Sequence, residues 1–144
     1  MTCESASIGH VATYPDPLDR LSLLSAAFSA QTGIDCRLDV RRERTRLDPV
    51  AADVLHRAIR ELLLLHKRTL TRRIVVASEL RADGSVAFHV RSVDAGAMGH
   101  HASALELDAV ALWDVDQRLR DVGAYLEFRG HQSVVFPAQL FIPR

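Results

Sequence analysis

The chain has 144 residues, 48% apolar and 25% charged, which is enough for one globular core and too apolar for a disordered chain. Eighteen Lys and Arg balance eighteen Asp and Glu, so the formal net charge is zero and the basic excess of a nucleic-acid binder is missing. Cys3 and Cys36 are too few for a disulfide framework. No apolar run approaches the roughly 20 residues of a membrane span, and the start MTCESASIGHVATYP has neither the basic nor the apolar stretch of a signal peptide. The expected location is the cytoplasm, without nucleic acid or membrane as a partner.

Residues 1–15 carry Ser, Thr, Gly and Pro without a period and read as a flexible tail; residues 16–144 read as the domain. Asp16-Pro17 has the form of a cap followed by proline at the first helical position. Leu18, Leu21, Leu24 and Phe28 then give one apolar stripe that ends at Gly33, predicting a helix over 17–32. Ile34 to Val40 alternates strictly, so Ile34, Cys36, Leu38 and Val40 should face a core from a strand. Arg41 to Arg46 reads as a solvated charged connection. Asp48-Pro49 repeats the cap signal, and a helix over 48–68 follows with Val50, Val54, Leu55, Ala58, Leu62 and Leu65 near one stripe. Its end, Leu62 to Leu65, is apolar all round and must be covered on several sides.

Arg73 to Leu80 reads as a strand, Asp83-Gly84 as a hairpin turn, and Val86, Phe88 and Val90 as the inward face of the return strand. Residues 94–104 form a small-residue loop. A third helix is expected over 105–122, with Leu112, Val115, Leu119 and Val122 on one face, Asp114 and Asp116 turned to solvent, and Gly123 as its stop. Tyr125 to Arg129 and Ser133 to Ile142 should be closing strands, with Pro137 marking an edge or a bulge. The order predicts an α+β, two-layer sandwich: a mixed, mainly antiparallel sheet with three helices on one face.

No G-x-S-x-G elbow, P-loop or G-x-G-x-x-G occurs. His100-His101 is the only close histidine pair, and adjacent side chains diverge in regular structure, so it does not read as a metal site. More informative are Arg60 to Arg68 (RELLLLHKR), ending the second helix, and Ser92-Val93-Asp94-Ala95-Gly96, ending the hairpin. With the element order, the helix into Phe28 to Ile34, the stretch Arg118 to Arg129 and the closing Gly130 to Pro143, these fragments resemble the GHKL (Bergerat-fold) ATPase domain. The nearest likeness is to the catalytic domain of sensor histidine kinases of the nitrate-sensor type, over about residues 17–143.

The resemblance implies an N box in which Glu61 stands for the residue that positions water and Leu65 for the magnesium-binding Asn. It also implies a first glycine box in which Asp94 and Gly96 match the adenine-binding Asp and the first glycine, while Met98 replaces the second glycine. Leu65 has no oxygen to offer a hard cation. The lid glycines are missing: between Ala97 and Val122 only Gly99 remains, and a side chain blocks close backbone approach to phosphate. Asp94, Gly96, Met98 and Leu65 thus define a residual nucleotide pocket, with Glu61 as its one catalytic candidate, no metal ligand, and ATP and magnesium as the family's cofactors but not expected to bind well.

The family's phospho-accepting histidine sits on a two-helix hairpin, and the stretch before residue 17 is too short for one; if complete, the chain would not autophosphorylate in cis. The expected function is that of a degenerate, pseudo-kinase domain in bacterial two-component-type signalling, contacting a kinase, response regulator or similar protein, with a homodimer left open. Two alternatives stand beside it: an active ATP-binding catalytic domain of a sensor histidine kinase, and a domain binding a different small ligand in the residual pocket.

Overall fold

The computed structural model describes residues 17–41, 47–68, 71–93, 109–128 and 132–141. The elements run α1 (Pro17–Thr32), β1 (Asp35–Asp39), α2 (Pro49–His66), β2 (Arg73–Leu80), β3 (Val86–Ser92), α3 (Ala109–Asp121), β4 (Tyr125–Phe128) and β5 (Gln132–Phe136), followed by a short 3-10 turn at Ala138–Leu140. The strands form one sheet in the order β1-β2-β3-β5-β4. β1 and β2 are parallel, joined through α2 as a crossover; the other three pairs are antiparallel.

Period-two alternation decides which side of the sheet the helices cover. Cys36, Ile74, Val76, Val86, Phe88, Val90, Val134 and Phe136 share one face, and they join one buried cluster with Leu21 and Phe28 of α1, Leu55, Ile59 and Leu62 of α2, and Val115 and Leu119 of α3. Phe88 and Phe136 meet edge to face at 5.9 Å and 86°, the arrangement that ring quadrupoles favour. The architecture is therefore the expected α+β sandwich, a mixed, mainly antiparallel sheet under three helices. Among the described residues no helix is long and apolar enough to cross a membrane.

Local chemistry sets the helix ends. The Asp48 carboxylate accepts from the backbone N–H of Val50 (3.1 Å) and Ala51 (3.4 Å) at the start of α2. Gly33 and Gly123 follow α1 and α3 with φ of +77° and +90°, the left-handed conformation that ends a helix without a Cβ penalty.

Helix side chains hold one residue on each edge of the sheet. On β1, the outward N–H of Cys36 donates to Ser29 Oγ (3.0 Å) and its carbonyl accepts from Ser25 Oγ (3.1 Å). On β4, the outward N–H of Leu126 donates to Asp116 Oδ1 (3.1 Å). Unpaired edge groups are templates for strand addition, and here α1 occupies those of Cys36 and α3 that of Leu126. Cys36 is buried, and that burial pushes its thiol up from the ordinary value, which keeps it protonated and unreactive.

Several expectations need correction. The last strand does not run from Ser133 to Ile142: it stops at Phe136, because Pro137 has no N–H to continue a ladder and its extended φ of −61° leads into the 3-10 turn. Nor does Pro137 mark an edge, since β5 lies between β3 and β4. The chain beyond it returns to the start of α2, where Phe141 bridges to Leu47 and the N–H of Asp48 donates to the Leu140 carbonyl (3.1 Å). Asp116 is not turned to solvent, because the β4 edge needs its oxygen; Asp114 is, paired with Arg118 at 3.0 Å. Val50 is 61% exposed, although the adjacent Ala51 is 1% exposed: it lies on the side of α2 that lines an open groove with α3, not on the core stripe. The described part of the third helix is Ala109–Asp121, and residues 105–108 lie outside the described residues, as do the tail 1–15, residues 42–46, the loop 94–104 and Ile142.

The β2–β3 turn gives the first prediction. Gly84 has φ of +86°, and a Cβ there would stand 3.0 Å from the Ala138 Cβ. Gly84→Ala should lower stability by about 1–2 kcal/mol from the left-handed backbone alone, plus the cost of that contact. Chemical denaturation checks it: adding Ala138→Gly should return part of the loss, and an unchanged midpoint in Gly84→Ala would contradict the assigned turn.

Candidate functional site

The leucine-rich segment Glu61 to His66 sits at the end of α2, and packing divides its residues sharply. Leu62, Leu63 and Leu65 are 0%, 1% and 5% exposed, whereas Leu64 is 40% exposed. One helical turn spans all directions, so one of four successive side chains had to face out. Leu65 thus belongs to the hydrophobic cluster. It offers hydrocarbon where the resemblance asks for an amide oxygen.

His66, next in sequence, is fully buried, and its Nε2 lies 2.9 Å from Gln132 Oε1 on β5. An amide oxygen only accepts, so Nε2 carries the proton. The bond ties the last turn of α2 to an interior strand. Its partners are 66 residues apart, and sequence reading missed it: the one clue was a polar residue directly after a run that had to be covered on all sides.

Glu61 is half-buried and lines a groove of about 600 Å³ between α2 and α3. Ala58 and Val115, each 3% exposed, are its most buried lining, with half-buried Val54 and Val122 beside them. Asp53, Arg57 and Arg60 share the α2 wall with Glu61; Asp114, Arg118 and Asp121 form the α3 wall. Three of these charges are paired without crossing the groove: Asp53 with Arg20 of α1 at 2.5 Å, and Asp114 with Arg118 along α3 at 3.0 Å. No ion pair among the described residues joins the two walls. On the α1 side of α2, partial burial first, then Arg20 and Arg60, lower the His56 pKa, against a smaller opposing pull from Asp53.

Asp94, Gly96 and Met98 lie outside the described residues, so of the residual pocket the structure places Glu61 and Leu65. It separates them. Glu61 opens on the interhelical groove, and Leu65, one turn later, is in the core. Among the described residues no group of three or more His, Cys, Asp or Glu is arranged to hold a metal ion.

A second polar group lies on the sheet face away from the helices. Glu79 accepts from His89 Nε2 (2.9 Å), which leaves His89 Nδ1 to accept from the Ser133 hydroxyl (2.6 Å). Arg81 meets Glu127 of β4 through both terminal nitrogens, at 2.7 and 3.2 Å, which raises the Arg81 pKa further. These residues lie around Ala87 and Val135, registered neighbours that are fully buried on this face. The strands' alternation placed them on the outer face, but nothing in the sequence specified their pairing.

No protein-family model matches the chain, and no curated protein matches its sequence. Among solved structures it is similar to the Erythrobacter litoralis EL346 blue-light activated histidine kinase, with a TM-score of 0.56 at 11% identity, over 83% of this chain and 41% of that one. It is similar as well to the histidine kinase domain from that protein, with a TM-score of 0.53 at 13% identity, over 95% of this chain and 82% of that one. The fold is histidine-kinase-like. At these identities the likeness is one of fold, and the chain spans 41% of the first protein's length.

The leucine run gives the second prediction. Leu65→Ala should cost roughly 2–5 kcal/mol, the range for truncating a buried Leu. Leu65→Asn should also destabilise, because it buries an amide without prepared partners. Leu64→Ala, at an exposed position, should stay within about 0.5 kcal/mol. Denaturation midpoints check all three, and a Leu65→Asn midpoint equal to wild type would mean that Leu65 faces open space.

Proposed function

We propose that this chain is a GHKL-type histidine-kinase ATPase-like domain, nearest the nitrate-sensor subfamily, whose nucleotide pocket has degenerated. It acts in two-component-type signalling by contact with a protein partner such as a kinase or response regulator. The observation that carries this reading is Leu65, 5% exposed in the core at the position of the magnesium-binding Asn. The described residues do not fit magnesium: a hard cation needs several oxygen ligands, Leu65 supplies none, and Glu61 belongs to no group of three or more His, Cys, Asp or Glu among the described residues that could hold a metal ion. The histidine-kinase-like fold supports the signalling context. Glu61 itself favours a second reading, an active ATP-binding domain, since a half-buried carboxylate lines a groove of the right order of size for a small ligand.

Calorimetric titration with Mg-ATP separates the two. A triphosphate must be desolvated, and without metal ligand or lid glycines little offsets that cost. The expected result is no saturable heat at micromolar concentrations and no change on Glu61→Gln. Saturable low-micromolar binding that Glu61→Gln weakens would establish the active reading.

A further inference from the structure

The outer face of the sheet carries an arginine cluster at its β1 end. Arg37 on β1, Val75 on β2 and Arg91 on β3 are in register across one row, and Arg73 stands two residues before Val75, opposite Asp35. All are odd-numbered positions, opposite the core-facing Cys36, Ile74, Val76 and Val90. Asp35 Oδ2 accepts from Arg37 Nε at 3.1 Å and from Arg73 Nε at 3.2 Å. One carboxylate therefore orients two guanidinium groups by their inner nitrogens, and both terminal nitrogens of each remain without a partner among the described residues. Arg91 is exposed and makes no ion pair among the described residues. Three guanidinium forks thus surround half-buried Val75, with Val93, 43% exposed, beside Arg73.

Elsewhere on this face Glu79, His89 and Ser133 bond in a chain and Arg81 bonds Glu127; exposed Asp39, two residues after Arg37 and opposite Ala77, is the one further carboxylate beside the cluster among the described residues of β1. Strand addition is blocked where Ser25 and Ser29 hold the β1 edge and Asp116 holds β4. Three forks around a small apolar centre match carboxylates spaced along an extended chain around one aliphatic residue. They are fewer than the roughly 6–10 phosphate contacts of a strongly salt-dependent nucleic-acid binder, and too few for an anionic membrane, where clusters of about 4–8 cations are usual.

We propose that Arg37, Arg73 and Arg91 form a docking patch for an acidic, extended segment of a protein partner. The proposal deepens the protein-contact reading and rests on it for the partner's being a protein. The titration below is independent of nucleotide, so either can fail alone.

The test is fluorescence anisotropy of a fluorescein-labelled Glu-Glu-Val-Glu-Glu peptide with the full chain. Expected are saturable binding, a loss of about tenfold or more in affinity in the Arg37→Glu, Arg91→Glu double variant, and a similar loss in about 0.5 M NaCl. The groove variant Arg57→Glu should bind as wild type, and an unchanged denaturation midpoint in the double variant keeps the comparison one of binding. Absence of saturable binding, or equal binding by the double variant, would overturn the proposal. So would tighter binding of a single-stranded oligonucleotide or phosphatidylserine vesicles through the same arginines.

Discussion

Leu62, Leu63 and Leu65 come from a single turn of α2, and all three are buried. A helix resting on a sheet can hide that many adjacent side chains only if it is also flanked, and α1 and α3 supply the flanks. The remaining direction is taken by Leu64, which stays exposed. His66 would be the weak point of so apolar an end, since a buried imidazole without a partner is costly. Its Nε2 bond to Gln132 offsets that cost at one ring nitrogen and fixes α2 against β5. Most of the candidate site follows from this constraint. The turn that carries a metal ligand in the family it resembles is here a packed element, and only the outward positions around Glu61 are left to meet a ligand.

The same economy governs the sheet. Its helix-covered face is hydrocarbon, and its edges are held at Cys36 by hydroxyls of α1 and at Leu126 by a carboxylate of α3. Asp116 also accepts from Arg120 at 2.7 Å, so one partly buried carboxylate holds a helix side chain and the strand edge together. What remains for recognition are surfaces rather than clefts: the interhelical groove with charges unpaired across it, and the outer face, where polar groups are neutralised at one end and arginines crowd the other. A chain with zero net charge can present such a patch because charge is balanced globally, not locally.

The sequence was most legible where a period or a cap carried the information. Alternation from Ile34 to Val40 located β1, Asp48-Pro49 located the start of α2, and Asp83-Gly84 located the β2–β3 turn. The expected burial of the leucine run was also legible, because four apolar residues in one turn admit few arrangements. Long-range pairings were not. Nothing local tells Asp116 that a strand edge will arrive 10 residues later, or His66 that Gln132 will lie beneath it. Pro137 was legible as a break, but its meaning depended on whether β5 lay at an edge, which is a matter of topology. Of the candidate pocket, Glu61 and Leu65 looked like one site by their spacing of one turn, and burial parts them.

Native-state hydrogen exchange across Leu62–His66 tests most directly whether the last turn of α2 is a fixed part of the core. Amides of such a turn should exchange only through global unfolding, with a free energy equal to that from chemical denaturation and an equally steep denaturant dependence. Exchange through a local opening, with a markedly lower free energy and little denaturant dependence, would show that the turn leaves the core readily and would contradict its place as a packed element of the core.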